Sequence, residues 1–223
     1  MAMDFDNITL ISDSNVLAIP IKDNGDRLVN LKDFLGLRRG ESNRGSFDLC
    51  WYLRASVISK LLKVQSNLPD GIQLLIDGGY RPLSLQKEFF DKYWAEVKTS
   101  HSDWPREKIY QEVVKYVAPP EIAPPHSTGG AVDLTLCDEN GTKLDMGTSL
   151  DATPQESDNG CFMAAENISD EAKKNRGILM KAMDQQGFVN YPTEWWHWSY
   201  GDRYWAYAKK QEFALFGSIE PSL

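Results

Sequence analysis

Two short motifs hold the residue types from which hydrolytic metal chemistry is built: His126 and Asp133 in HSTGGAVD, and Glu194 and His197 in EWWH. Zinc in catalytic sites takes three nitrogen or oxygen ligands from the protein and keeps a fourth position open, and two histidines with one carboxylate fill that count. Glu194 is then left over as a general base. Water on such a zinc falls from a pKa of ~15.7 to about 7, which makes a hydroxide-like nucleophile available at neutral pH. The chain has three histidines, and two of them stand in these motifs. Taken singly, each histidine also reads as a satisfied core residue and each carboxylate as a capping or solvated one. His101, beside Ser100, Ser102 and Asp103 in a polar connection, is expected to be solvated.

These four residues can share a centre only if the backbone places them correctly. Side chains alternate along a strand with period two, so His126 and Asp133 cannot both face one point from a single regular strand. His126 is therefore expected on a loop and Asp133 on a strand over 131–136, with Gly129 and Gly130 turning the chain between them. The same parity puts His197 on a strand over 195–200 and Glu194 in the turn after Pro192. The prolines of 118–125 bar helix and central strand, so this piece delivers the chain, extended, to His126.

Elsewhere, VLAIPI at 16–21 reads as a short apolar strand followed by the turn DNGD. Leu53, Val57, Leu61 and Val64 recur at helical spacing within 50–68, which predicts an amphipathic helix ended by Pro69, Asp70 and Gly71. Residues 72–76 form a buried strand, and Arg81 leaves its end. Helices are expected over 83–97 and 105–117, and another from the N-cap Ser169 to near Gly187. The polar stretch 141–160 is a loop suited to the rim of a site. Trp195, Trp196 and Trp198 read as core, and Cys137 as structural. Strands and helices do not alternate regularly, so the expected fold is α+β: one domain over residues 1–223, a small, mainly antiparallel sheet carrying the zinc site, flanked by helices.

A net charge of -8 argues against nucleic acid, anionic lipid or wall polymers as the main partner and leaves a small zwitterionic substrate compatible. No run approaches the roughly 18 apolar residues of a membrane helix. Three cysteines, Cys50, Cys137 and Cys161, form an odd set without CxxC spacing, as expected of free thiols in a reducing compartment. The N-terminal MAMDFDNITLISD is acidic where a secretory signal needs a basic flank and an apolar run, so the cytoplasm is the expected location.

Four stretches, in order, carry a family resemblance. GGYRP at 78–82, HSTGGAVDLTL at 126–136, MGTSLD at 146–151 and EWWH at 194–197 look like the D-alanyl-D-alanine dipeptidases. These are zinc peptidases grouped with the D-alanyl-D-alanine carboxypeptidases and the hedgehog signalling domain. The similarity runs from about Val16 to about Ala206. It implies one Zn2+ per chain on His126, Asp133 and His197, Glu194 as catalytic acid/base, and Arg81 as an electrophilic helper. It also implies Asp151 as the partner of the substrate's free ammonium. Arg81 fits independently, because a fixed guanidinium stabilises the oxyanion that forms when a peptide carbonyl is attacked. Dipeptidases of the vancomycin-resistance group carry a substrate-holding serine two positions before the first histidine. Pro124 stands there in this chain, leaving Ser127 and Thr128 as candidates for gripping the substrate carboxylate.

The implied reaction is hydrolysis of D-alanyl-D-alanine to two D-alanines. Two other readings stay open at this point: a D,D-carboxypeptidase or peptidoglycan endopeptidase of the same superfamily, and a binding module that keeps a structural zinc without chemistry.

Overall fold

Among the described residues, the most continuously buried strand, Ala131–Asp138, lies in the middle of the sheet. The computed structural model describes residues 8–40 and 48–220, so the first part of the acidic N-terminal stretch, residues 1–7, lies outside the described residues. In chain order the elements are α1 (Ser14–Leu17), β1 (Leu28–Asn30), β2 (Arg38–Arg39), β3 (Tyr52–Arg54), α2 (Ala55–Ser66), β4 (Ile72–Gly78), α3 (Leu83–Ser100) and α4 (Arg106–Val113). They are followed by β5 (Ala131–Asp138), α5 (Pro154–Ser157), α6 (Asp170–Gln185), β6 (Val189–Tyr191), β7 (Glu194–Ser199) and α7 (Arg203–Ala208).

The fold is α+β. Five strands pair in the order β2-β4-β5-β7-β6, and β1 and β3 form a separate ribbon. Within this sheet, among the described residues, the short β2–β4 pairing is parallel, and β4–β5, β5–β7 and β6–β7 are antiparallel. Val132, Leu134 and Leu136 of β5 join one core with Val57, Ile58 and Leu61 of α2 and Leu179 and Met183 of α6. Period-two alternation then turns Asp133 to the opposite face. The helical hairpin α3–α4 has its own small core, in which Val97, Ile109 and Val113 pack with Phe90, Tyr93 and Trp94.

Several boundaries differ from the expected ones. Residues 14–17 form a helical turn rather than a strand over 16–21, because the Asp13 carboxylate accepts from Asn15 N at 2.7 Å and caps it. Ile21 enters only an isolated bridge to Ala214. The helix predicted over 50–68 begins at Ala55, since Tyr52–Arg54 is drawn into the ribbon with β1. Buried Arg54 anchors that ribbon by donating to Thr128 O at 2.7 Å and pairing with Asp23 at 2.8 Å. The helix expected over 105–117 ends at Val113, and the proline segment contains a 3-10 turn, Pro120–Ile122, instead of running extended throughout. Within the 141–160 loop, a Thr153–Glu156 capping box nucleates α5. His101 is not simply solvated, because its ring stacks on Trp104 at 3.8 Å. Among the described residues, no helix is long and apolar enough to cross a membrane.

Candidate metal centre

β5 and β7 meet in a register that makes Asp133 and His197 direct cross-strand partners, so both side chains project from the same face. His197 Nδ1 stands 3.1 Å from Asp133 Oδ1. His126 reaches the same point from a 3-10 turn, Pro125–Thr128, entered through Pro124 and closed by Gly129 at φ +70°. A side chain at that φ would be strained, and a Cβ there would lie 2.4 Å from Leu28, so glycine is needed for the chain to turn into β5. His126 Nε2 is 3.2 Å from Asp133 Oδ2 and 3.2 Å from His197 Nδ1. The end of β4 fixes this turn reciprocally: His126 Nδ1 lies 2.7 Å from Gly79 O, and Arg81 N donates to His126 O at 3.1 Å.

The three side chains are buried, and one donor atom from each lies within 4.8 Å of the others. Two imidazole nitrogens and a carboxylate suit zinc, and three protein ligands leave a position open for chemistry. The Gly79 carbonyl settles the tautomer of His126: with its proton on Nδ1, its lone pair sits on Nε2 and faces the cluster. Burial pushes His126 down to about 4, which keeps it neutral, although Asp133 opposes the shift. His197 is also penalised by burial. The hydrogen bond and charge of Asp133, joined by the charges of Glu194 and Asp202, nevertheless raise it above its ordinary value.

Glu194 opens β7 rather than sitting in the preceding turn. Consecutive β6 residues Asn190 and Tyr191 pair with Trp198 and Glu194, so the extra residues of the register shift lie in β7 between Glu194 and Trp198. Glu194 thereby shares a side with His197 despite their spacing, and its Oε2 lies 3.8 Å from His197 Nδ1. It is outside the three-residue cluster and about a third exposed, as a group exchanging protons with water must be. All four residues line a cavity of about 300 Å³ together with Arg81 and Asp151, at the small end of the range for small-molecule pockets. Asp151 holds a left-handed backbone, φ +63°, a conformation that costs a non-glycine residue free energy and that clusters at ligand sites.

Peptidase_M15, the D-ala-D-ala dipeptidase family, matches residues 49–216. The chain belongs to this family. It is a metallopeptidase of the zinc type. A D-alanyl-D-alanine dipeptidase of Synechocystis sp. is 30% identical over 239 residues, covering 92% of this chain and 96% of the relative. One from Enterococcus faecalis is 31% identical over 151 residues, covering 62% of this chain and 69% of the relative. A solved vancomycin-resistance D,D-pentapeptidase, VanY in complex with Zn(II), aligns with a TM-score of 0.43 at 18% identity, over 74% of this chain and 82% of that one.

Ser127 and Thr128, expected in this Peptidase_M15 chain to hold substrate, face away from the cavity. The Ser127 hydroxyl donates to Pro124 O at 2.7 Å, and Thr128 Oγ1 donates to Pro125 O at 2.6 Å. Both side chains are buried and serve the turn that presents His126. Trp195, Trp196 and Trp198 are core residues as expected, and Trp196 also forms part of the cavity wall. Gln86, Lys115 and Tyr191 line the cavity too and were not foreseen. Gln86 alone left a trace in the sequence, as a polar side chain on the inward side of an amphipathic helix; the other two arrive through long-range folding.

Proposed function

We propose that this protein hydrolyses free D-alanyl-D-alanine to two D-alanines. The carrying observation is the convergence of His126, Asp133 and His197 within 4.8 Å beside Glu194, in a small cavity also bounded by Asp151. The activity for which the Synechocystis and Enterococcus relatives are named supports the same reading. His126, Asp133 and His197 would hold one Zn2+, which when bound supplies Lewis acidity toward the scissile carbonyl and acidifies water. Glu194 takes a proton from the attacking water and returns it to the leaving amine nitrogen. Arg81 donates to the carbonyl oxygen as negative charge grows there. Asp151 faces the substrate ammonium, whose charge is costly to bury without an anion opposite. Lys115 has the sign to meet the carboxylate, in place of Ser127 and Thr128. The free cysteines Cys50, Cys137 and Cys161 support a cytoplasmic setting.

The test is release of free alanine from D-alanyl-D-alanine by purified protein. Activity should vanish with a chelator and return with added zinc. Chelator-resistant release, or no release by zinc-loaded protein, would overturn the proposal.

A further inference from the structure

His197 has two ring nitrogens, and the cluster uses only one. Nδ1 faces Asp133 at 3.1 Å and His126 at 3.2 Å. Nε2 faces the other way, toward Ser199 Oγ at 3.5 Å. For Nδ1 to present a lone pair, the proton must sit on Nε2, and that proton needs an acceptor in a buried place. Ser199 is 0% exposed and its hydroxyl lies against Asp202, which is 1% exposed.

Asp202 is an unusual residue for its position. Its Oδ1 accepts from Trp205 N at 2.8 Å and so caps α7. A cap of that kind needs one oxygen, and serine, threonine or asparagine provides it without charge. The second oxygen, Oδ2, is buried and accepts no hydrogen bond among the described residues. An unpaired buried carboxylate oxygen costs stability, so the cap alone does not account for a carboxylate here. The Ser199 hydroxyl links this carboxylate to His197: it hydrogen-bonds Asp202 and lies 3.5 Å from His197 Nε2.

We propose that Ser199 and Asp202 are positioning residues for His197: Asp202 accepts from the Ser199 hydroxyl, and Ser199 Oγ accepts the Nε2 proton of His197. The lone pair is thereby fixed on Nδ1 and the ring held toward Asp133 and His126. Outer partners of this kind raise ligand basicity, and their loss typically weakens metal binding about 10- to 100-fold. The inference rests on His197 being a metal ligand.

The experiment measures zinc dissociation constants by competition with a chromophoric chelator, together with the melting temperature of the metal-free protein, for wild type, Asp202→Asn, Ser199→Ala and His197→Ala. Asparagine keeps the capping oxygen and removes the charge. Asp202→Asn should therefore bind zinc about 10- to 100-fold more weakly while its metal-free melting temperature stays level or rises. Ser199→Ala should weaken zinc binding by a similar factor, and it decides the matter if Asp202→Asn folds poorly. Wild-type zinc affinity in Ser199→Ala and in folded Asp202→Asn, with or without a lower metal-free melting temperature, would make Asp202 a cap only and overturn the proposal. His197→Ala separates the two layers. Unchanged zinc affinity in His197→Ala refutes its assignment as a ligand, whereas loss there with intact affinity in both outer variants refutes only the positioning role.

Discussion

Arg81 donates from Nη1 to Gln86 Oε1 at 2.9 Å, and Gln86 in turn donates from Nε2 to the Ala118 carbonyl at 2.7 Å. Gln86 is 2% exposed, so the guanidinium is held from behind by a side chain that is itself immobilised by the segment leading to His126. The Phe89 ring lies 5.1 Å from the same guanidinium and flanks it. An oxyanion stabiliser gains its advantage from being fixed before charge develops.

Arg81→Lys should therefore be damaging although the charge is kept, because an ammonium does not reproduce the planar fork of donors. The expected loss is about 10²- to 10³-fold in kcat. Gln86→Met should cost less, roughly ten- to a hundredfold through misplacement, and should also fall on kcat. A loss confined to KM in both variants would place Arg81 on the substrate carboxylate instead.

Zinc should be near-stoichiometric in purified protein and should drop sharply in His126→Ala and His197→Ala, as measured by metal analysis. The pH dependence has a definite sign. His197 is raised above 6.5, so below its own pKa a proton occupies the nitrogen that the metal needs, whereas His126, held near 4, competes only in stronger acid. Zinc affinity should thus weaken on acidification, with the decline beginning above the ordinary histidine value. An affinity that is flat from about pH 8 to pH 6 would contradict the assignment.

Glu194→Gln should separate chemistry from metal binding. The variant should fold and retain zinc while losing at least the 10²- to 10⁴-fold that general acid/base help supplies. A metal-free variant would make Glu194 a ligand, and an active one would overturn its role.

Arg176 is the main tie of the loop that carries Asp151. It is buried, donates to the Met146, Gly160 and Phe162 carbonyls at 2.8, 2.8 and 2.6 Å, and is pushed down to about 10 by burial. Arg176→Met leaves three buried acceptors without this donor and should destabilise the fold by about 3 kcal/mol, read by denaturant unfolding. In enzyme that stays folded, KM for the dipeptide should rise as Asp151 loses its support.

The cluster itself was legible in the chain. Parity along a strand, two glycines and a proline-led turn were enough to put His126 off the strand and Asp133 on it. The pairing of β5 with β7 then brings His197 opposite Asp133 in register. Glu194 was harder, because a register shift against β6, with its extra residues in β7 itself, decides which side it faces, and strict alternation does not contain that. The run at 16–21 misled because a short apolar stretch has no period of its own; the Asp13 cap resolves it as a helical turn. Ser127 and Thr128 had suitable chemistry, but the adjacent prolines offer free carbonyls that take both hydroxyls. Lys115 and Tyr191 meet the cavity only through the packing of distant segments, a relation that periodicity does not contain.

The central claim is that a free dipeptide, with its ammonium facing Asp151, is the substrate. The most direct measurement compares kcat/KM for D-alanyl-D-alanine with that for N-acetyl-D-alanyl-D-alanine, in the wild type and in Asp151→Asn. The blocked peptide should be a very poor substrate for the wild type, and Asp151→Asn should impair hydrolysis of the free dipeptide far more than that of the blocked one. Efficient wild-type cleavage of the blocked peptide, or of longer stem peptides, would contradict the dipeptidase account and make the protein a carboxypeptidase.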